Sequence, residues 1–200
     1  MTWMLTRFGR RFDLVAPKPS MVHIDDIAWH LAMINRFTGA TTRPYSVAEH
    51  CLLVAEILER SVAGIDAMCL RAALLHDAPE AYTNDISTPM KRRVGHAWTA
   101  AERPIVDAVE QHFGIAGAAR RHAIAIHLAD RTALATERRD LLVDHADEWE
   151  VLRGVEPVDW IDLNDRAGMD WSDWRLAYLA RHEEIAALID AAIGNEEPTP

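Results

Sequence analysis

Apolar positions recur at three- and four-residue spacing through most of the chain, which predicts helices rather than strands. The N-terminal end differs. Trp3-Met4-Leu5-Thr6 and Arg11-Phe12-Asp13-Leu14-Val15 flank Phe8-Gly9-Arg10 and predict a short hairpin, ended by Pro17 and Pro19. Asp25-Asp26-Ile27-Ala28 opens the first helix, its acids favoured by the helix dipole and its apolar stripe supplied by Ile27, Leu31, Met33 and Ile34. That helix is expected to end in Asn35-Arg36-Phe37, before a loop from Thr38 to Pro44. Ser46-Val47-Ala48-Glu49 has the form of a capping box. It starts a helix through about Glu59, with Val47, Cys51, Val54, Ala55 and Leu58 facing inward and His50 in its first turn.

A helix is expected from Asp66 to Asp77, with Pro79 breaking it two residues after the acid. Lys91 to His96 reads as irregular and basic, and Trp98 to Phe113 as helical. Gly114 and Gly117 then separate that element from a long helix, Ala119 to about Leu142. On the long helix Ala123, Ile126, Ala133 and Leu134 share a face with Asp130, a carboxylate on an apolar stripe. Gly154 to Asp170 reads as loop, Ser172 to Ile193 as a closing helix, and Gly194 to Pro200 as a frayed polar tail. With no repeat, low-complexity segment or internal linker, residues 1–200 are expected to form one all-helical domain with a short N-terminal β-hairpin.

Composition narrows the classes. The chain has 200 residues, 50% of them hydrophobic and 26% charged, which is enough to bury a real core. A formal net charge of -10 argues against a nucleic-acid polymer as partner, because polymer binding relies on clustered Lys and Arg. A small anionic substrate remains compatible, since a metal and a few local bases outweigh the global field. The two cysteines, Cys51 and Cys69, sit in apolar helical segments and read as core thiols of a reducing compartment. There is no signal-peptide pattern and no membrane-spanning run, so the cytoplasm is the expected location.

Chemistry concentrates between His76 and Lys91. The apolar run Ala72-Ala73-Leu74-Leu75 leads directly into His76-Asp77, followed by Glu80, Asp85 and Lys91. Buried charges of this kind need partners or a metal. A His-Asp dipeptide alone carries little weight, since about one is expected by chance among ten histidines and many aspartates. The set carries more. His50, His76, Asp77 and Asp130 come from three predicted helices and together make a mixed nitrogen and oxygen donor set. Such a set suits one divalent transition ion, Mn, Co, Fe, Ni or Zn, rather than Ca or a thiolate cluster. A cation there would polarise a phosphoryl oxygen and acidify water, which suits phosphate-ester hydrolysis. Glu80 and Asp85 are the candidate acid–base groups. Arg36 and Lys91 are the candidate phosphate clamps, and Phe37, with Trp98 or Tyr82, could stack on a base or sugar. The remaining histidines read as surface or satisfied core groups, and Glu137, Arg138 and Arg139 as a solvated or salt-bridged face.

The pattern His50, then His76-Asp77, then Asp130 resembles the HD-domain metal-dependent phosphohydrolases. Ile34-Asn35-Arg36-Phe37, Ser46-Val47-Ala48-Glu49-His50 and His76-Asp77-Ala78-Pro79-Glu80…Asp85…Thr88-Pro89-Met90-Lys91 are similar to the motifs of the bacterial 5'-deoxynucleotidase branch. Ala129-Asp130-Arg131, with Thr136-Glu137-Arg138 beyond it, is similar to that branch's last ligand helix. The resemblance runs from about Asp25 to Leu142. It implies an all-helical domain in which His50, His76, Asp77 and Asp130 hold one divalent ion. It also implies that Glu80 acts on the attacking water or leaving group, that Asp85 assists, and that Arg36 binds phosphate. The expected substrate is then a (deoxy)nucleoside 5'-monophosphate and the expected assembly a homodimer. A neighbouring branch, the phage dATP triphosphohydrolases, shares these motifs, and a silent nucleotide-binding HD module is the non-enzymatic alternative. The nucleotidase branch usually has tryptophan where this chain has Phe37, a smaller ring that fills less space beside the sugar.

Overall fold

The computed structural model describes residues 1–194, and the remainder of the polar tail expected at 194–200 lies outside the described residues. The N-terminal hairpin forms as expected: β1 (Trp3–Leu5) pairs antiparallel with β2 (Arg11–Asp13), with Met4 opposite Phe12. Its turn uses Gly9 at φ 74°, a conformation glycine adopts without steric cost. The hairpin is anchored by Asp26, fully buried, which accepts from Arg10 at 2.9 Å and from the Phe8 amide at 3.3 Å. His30 adds a second tie, accepting from the Arg7 amide at 3.1 Å and bonding the Ala81 carbonyl at 2.7 Å.

The rest is helical. α1 (Ile24–Met33) stops earlier than its sequence suggested. Ile34 turns extended, its carbonyl accepts from the Val47 amide, and the Arg36 amide donates to Tyr45. This short antiparallel contact between Asn35 and Ser46 returns Arg36 to the start of α2 (Val47–Ser61). Half of the expected capping box is present. The Ser46 hydroxyl accepts from the Glu49 amide at 3.1 Å, but the Glu49 carboxylate turns to Arg43 at 2.7 Å instead of back to Ser46.

α3 (Ala67–Leu74) is capped by Asp66, whose side chain accepts from the Cys69 amide at 2.7 Å. It ends before His76-Asp77, three residues short of the expected boundary, and α4 (Glu80–Thr83) follows as a single turn. Pro79 explains the early stop, since it lacks an amide hydrogen, clashes with the carbonyl four residues back and restricts Ala78 before it. Two other boundaries need correction. Lys91 to Val94, expected to be irregular, are the end of α5 (Thr88–Val94), which has Pro89 in its first turn, where proline is compatible with helix. Gly95 at φ 65° then separates it from α6 (His96–Phe113). Gly114, at φ 66°, ends α6, but Gly117 lies within α7 (Ala116–Arg121), and the break falls at His122 before α8 (Ala123–Leu141). The His122 ring pairs with Asp66 at 3.1 Å, tying that break to the start of α3.

The segment from Leu142 to Asp170 is irregular apart from short turns at Glu150–Leu152 and Leu163–Arg166. It is strapped to α8, where Asp140 accepts from the Leu163 amide at 3.0 Å and Arg131 donates to Val151 at 2.7 Å. α9 (Trp171–Gly194) closes the bundle against α1, α2 and α3, burying Trp174, Tyr178, Ile185 and Ile189. Cys51 and Cys69 are buried free thiols. Among the described residues no helix is long and apolar enough to cross a membrane.

Candidate metal centre

His50 comes from the first turn of α2, His76 and Asp77 from the turn that Pro79 forces after α3, and Asp130 from the middle of α8. Their donor atoms converge. His50 Nε2 lies 3.3 Å from His76 Nε2, 3.2 Å from Asp130 Oδ1 and 3.6 Å from Asp77 Oδ2, and His76 Nε2 lies 3.2 Å from Asp77 Oδ2. Donors around a cation bonded at about 2.0–2.2 Å stand about 3–3.6 Å apart, so the spacing is that of a coordination shell.

The hydrogen bonds behind the imidazoles make the same point. His50 Nδ1 faces the Glu137 carboxylate at 2.5 Å, and His76 Nδ1 faces the Ala73 carbonyl at 2.8 Å. Both partners are acceptors, so each Nδ1 donates and each Nε2 is left with its lone pair directed at the other. His50, His76 and Asp130 aim one donor each at a shared space, with Asp77 Oδ2 3.6 Å and 3.2 Å from the two imidazoles, and the residues present fit a divalent cation there. This is the arrangement by which a partner behind the ring orients a metal-ligating histidine.

Glu137 was not expected in this role. It is fully buried rather than part of a solvated face, and besides His50 it accepts from the Tyr45 hydroxyl at 3.0 Å and from Arg36 at 3.3 Å. The signal was present in the stripe of α8, because Glu137 stands seven residues, two turns, beyond Asp130 and shares its face. Burial opposes its charge, but Arg36 and His50 hold its pKa below the usual carboxylate range. The neighbouring Arg138 is half-buried over the Trp149 ring, and Arg139 is paired with Asp140.

Arg36 lies between Glu137 and Asp77, with NH1 3.5 Å from Asp77 Oδ2, while its buried Nε has no partner. Burial works against its charge, and Glu137 and Asp77 more than compensate, so its pKa is raised. The next two residues are strained: Phe37 and Thr38 take φ of 55° and 54°, a region that bulky and branched residues rarely enter. The Phe37 ring is half-buried, 6.3 Å from Trp149, with the Arg36 guanidinium 5.5 Å from its centre.

Glu80 is buried. One oxygen accepts from Lys91 at 2.9 Å, and the other, Oε2, has no partner. Burial and the charges of Asp77 and Asp85 push its pKa up to about 8 against the pull of Lys91. Asp85 is half-buried and raised by burial, with Arg36 opposing and Asp77 adding to the rise. Lys91, expected to reach phosphate, is committed first to Glu80, with Glu102 3.9 Å away. Tyr82 is not available as a stacking platform, because it is buried face to face on Phe12 with ring centres 3.7 Å apart. Trp98 is half-buried, 6.0 Å from the Lys91 ammonium.

The remaining shifts follow from the same geometry. Burial disfavours the His76 imidazolium, but Asp77 holds its pKa well above the ordinary value. Burial and Arg36 oppose the charge on His50, and Glu137 and Asp130 raise it on balance. Burial opposes the Asp77 charge too, but His76, His50 and Arg36 depress its pKa, and Asp130 is lowered by His50.

Comparison with known proteins gives the family. The family model described as HD domain matches residues 30–114, which include His50, His76 and Asp77 but stop short of Asp130 and Glu137. An uncharacterized protein of Rhodobacter capsulatus is 43% identical over 115 residues, covering 56% of this chain. That match spans 59% of the relative's own length. The uncharacterized protein YfdR of Escherichia coli is 31% identical over 163 residues, covering 82% of this chain and 85% of YfdR. On the relationship to YfdR and the family match together, the chain belongs to the HD-domain family.

Proposed function

We propose that this centre hydrolyses phosphate monoesters, with (deoxy)nucleoside 5'-monophosphates as substrates. The observation that carries the reading is the convergence of His50 Nε2, His76 Nε2, Asp77 Oδ2 and Asp130 Oδ1, with both histidines oriented from behind. Those four side chains would hold a divalent transition ion, whose Lewis acidity draws charge from a phosphoryl oxygen and makes water more acidic.

The chain's own groups account for the rest. The buried, unpartnered Nε of Arg36 offers a charge-assisted bond to a phosphate oxygen. Glu80, raised to about 8, still carries a proton at neutral pH on a carboxyl with one unpartnered oxygen. It gives that proton to the ester oxygen as the P–O bond breaks, and regains one from the water whose oxygen has bonded to phosphorus. The products are the free alcohol and inorganic phosphate. Asp85 orients the water or the phosphate's hydrogen bonds, and Lys91 sets the charge of Glu80. Phe37 supplies an apolar ring beside Arg36, flanking the phosphate end of the substrate.

The test is phosphate release from a panel of nucleotides with Mn or Co, alongside metal binding measured directly. Release from 5'-monophosphates is expected, and metal binding with no turnover of any nucleotide would support the silent-module alternative. One observation favours a second reading. Arg92 and Arg93 are exposed on α5 beside Lys91, where they could meet a longer phosphate chain. Product analysis on dATP separates the two, because tripolyphosphate appears only if the triphosphate is cleaved at its α-phosphate. The resemblance implies a homodimer, which sedimentation tests.

A further inference from the structure

A cavity of about 260 Å³ opens beside the metal centre, between α3, α6, α7 and α8. His76 and Asp130, two of the four converging donors, form part of its wall, so a molecule held at the centre extends directly into it. The rest of the wall is mostly aliphatic, with Leu75, Val109, Ile115 and Ile126 prominent and no Phe, Tyr or Trp. None of the basic groups of the centre reaches it: Arg36 and Lys91 are absent from its lining, and its charged group beyond the centre is Glu110. A phosphate chain placed there would meet mostly hydrocarbon and a carboxylate, which disfavours it against the Arg36 side. The volume is below the about 300–1,000 Å³ of sites that enclose whole drug-sized ligands, so it fits part of a molecule.

We propose that this cavity receives the uncharged end of the substrate, the nucleoside side of the ester, while the phosphate lies toward Arg36. The inference rests on the phosphohydrolase reading above and adds a direction to the bound substrate. Because the walls are aliphatic and the polar groups beyond the centre are Glu110 and the exposed His127, grip comes from apolar burial rather than from reading hydrogen-bond patterns. Weak discrimination among bases follows. A pocket of this kind separates ligands by size at about 10–200-fold and hardly at all by isosteric polar changes.

The test needs no variant at first. Across methyl, propyl and butyl phosphate, whose leaving alcohols are similarly basic, kcat/KM is expected to rise by about fourfold per added methylene until the cavity fills. A flat series overturns the proposal. Ala123→Phe, at an exposed position on the cavity wall, and Ala119→Leu then narrow the space. In a variant that melts like the wild type, the ratio of kcat/KM for a nucleoside monophosphate over methyl phosphate should fall about tenfold or more. An unchanged ratio assigns the nucleoside to the Phe37 side instead and also overturns the proposal. Calorimetric binding of thymidine to the metal-free protein supplies a readout independent of turnover. Binding lost in Ala123→Phe supports the cavity, and no binding to the wild type counts against it. If no phosphate ester is turned over, the hydrolase reading has failed, and thymidine binding alone still decides the cavity.

Discussion

The carboxylate that most constrains the centre stands behind it. Glu137 touches no converging donor except through the far nitrogen of His50, and it also holds Tyr45 and Arg36. Glu137→Gln keeps the shape and an acceptor oxygen but removes the charge that favours a proton on His50 Nδ1. Divalent-metal affinity is expected to drop about 10–100-fold, read by titration against a chelator, with helix content unchanged. An unaltered affinity would mean that His50 is oriented by packing alone. Glu80 gives the complementary case. Glu80→Gln mimics the protonated carboxyl but cannot transfer its proton, so kcat should fall about 10²–10⁴-fold while metal binding persists. The acid form is the one required. Its pKa is about 8 with no ion on Asp77, and a cation there offsets the Asp77 charge that helps raise it, so wild-type kcat should decline with rising pH from below that value.

These two residues also show how far the sequence could be read. The family motifs carry Glu80, and its charged neighbours are close in the chain. Glu137 precedes two arginines, a local context that suggests solvent, although it shares the Asp130 face of the helix. Its burial becomes visible only when α8 is set against α2, which places it under His50. The motifs likewise pointed to Arg36, but not to the extended turn at Ile34 and Asn35 that brings it back beside Tyr45. Tyr82 misled for a related reason, because its ring is used by Phe12 of the hairpin, a contact between residues 70 positions apart.

Among the helices, the consequential feature is where α3 stops. His76 and Asp77 can face His50 because the chain leaves helical geometry at Leu75, and two contacts hold that departure in place. One is Pro79, readable in the sequence. The other is the Tyr178 hydroxyl of α9, which donates to the Leu74 carbonyl at 3.0 Å, one of the carbonyls a helix end leaves without a partner. Tyr178→Phe should cost about 1 kcal/mol, a fall in Tm of about 2–4 °C for a protein of this size. It should also weaken metal binding slightly, whereas a change in neither would make α9 a mere cover. Periodicity located the long helices but not their breaks. Ala119, Ala123 and Ile126 run on at helical spacing across the break, so periodicity does not mark the interruption at His122, whose ring meets Asp66, far away in sequence. α5 buries no residue, so no apolar stripe marks it, and its signal was the proline in its first turn.

For the molecule as a whole, the centre makes folding and metal binding depend on pH in opposite senses. In the metal-free protein the His50 and His76 pKa values are raised above the ordinary 6.5. Their contribution to stability is therefore fully present below about 6.5 and is lost as pH rises through the folded values. Glu80, raised from 4.5 to about 8, acts in the same sense between those two values. Asp77, Asp130 and Glu137 are depressed, so their contributions are already complete above their unfolded values and change little between pH 6 and 8. The chelated protein should accordingly melt at a lower temperature at pH 8 than at pH 6. A divalent ion competes for the same lone pairs and must displace those protons, so its affinity rises with pH. The rise in Tm on adding saturating Mn or Co should then be larger at pH 8 than at pH 6, since stabilisation by a ligand grows with its concentration relative to Kd. Melting curves with chelator and with metal at both pH values check both signs. An equal metal shift at the two would mean that the ion binds away from His50 and His76, and the hydrolase reading would lose its foundation.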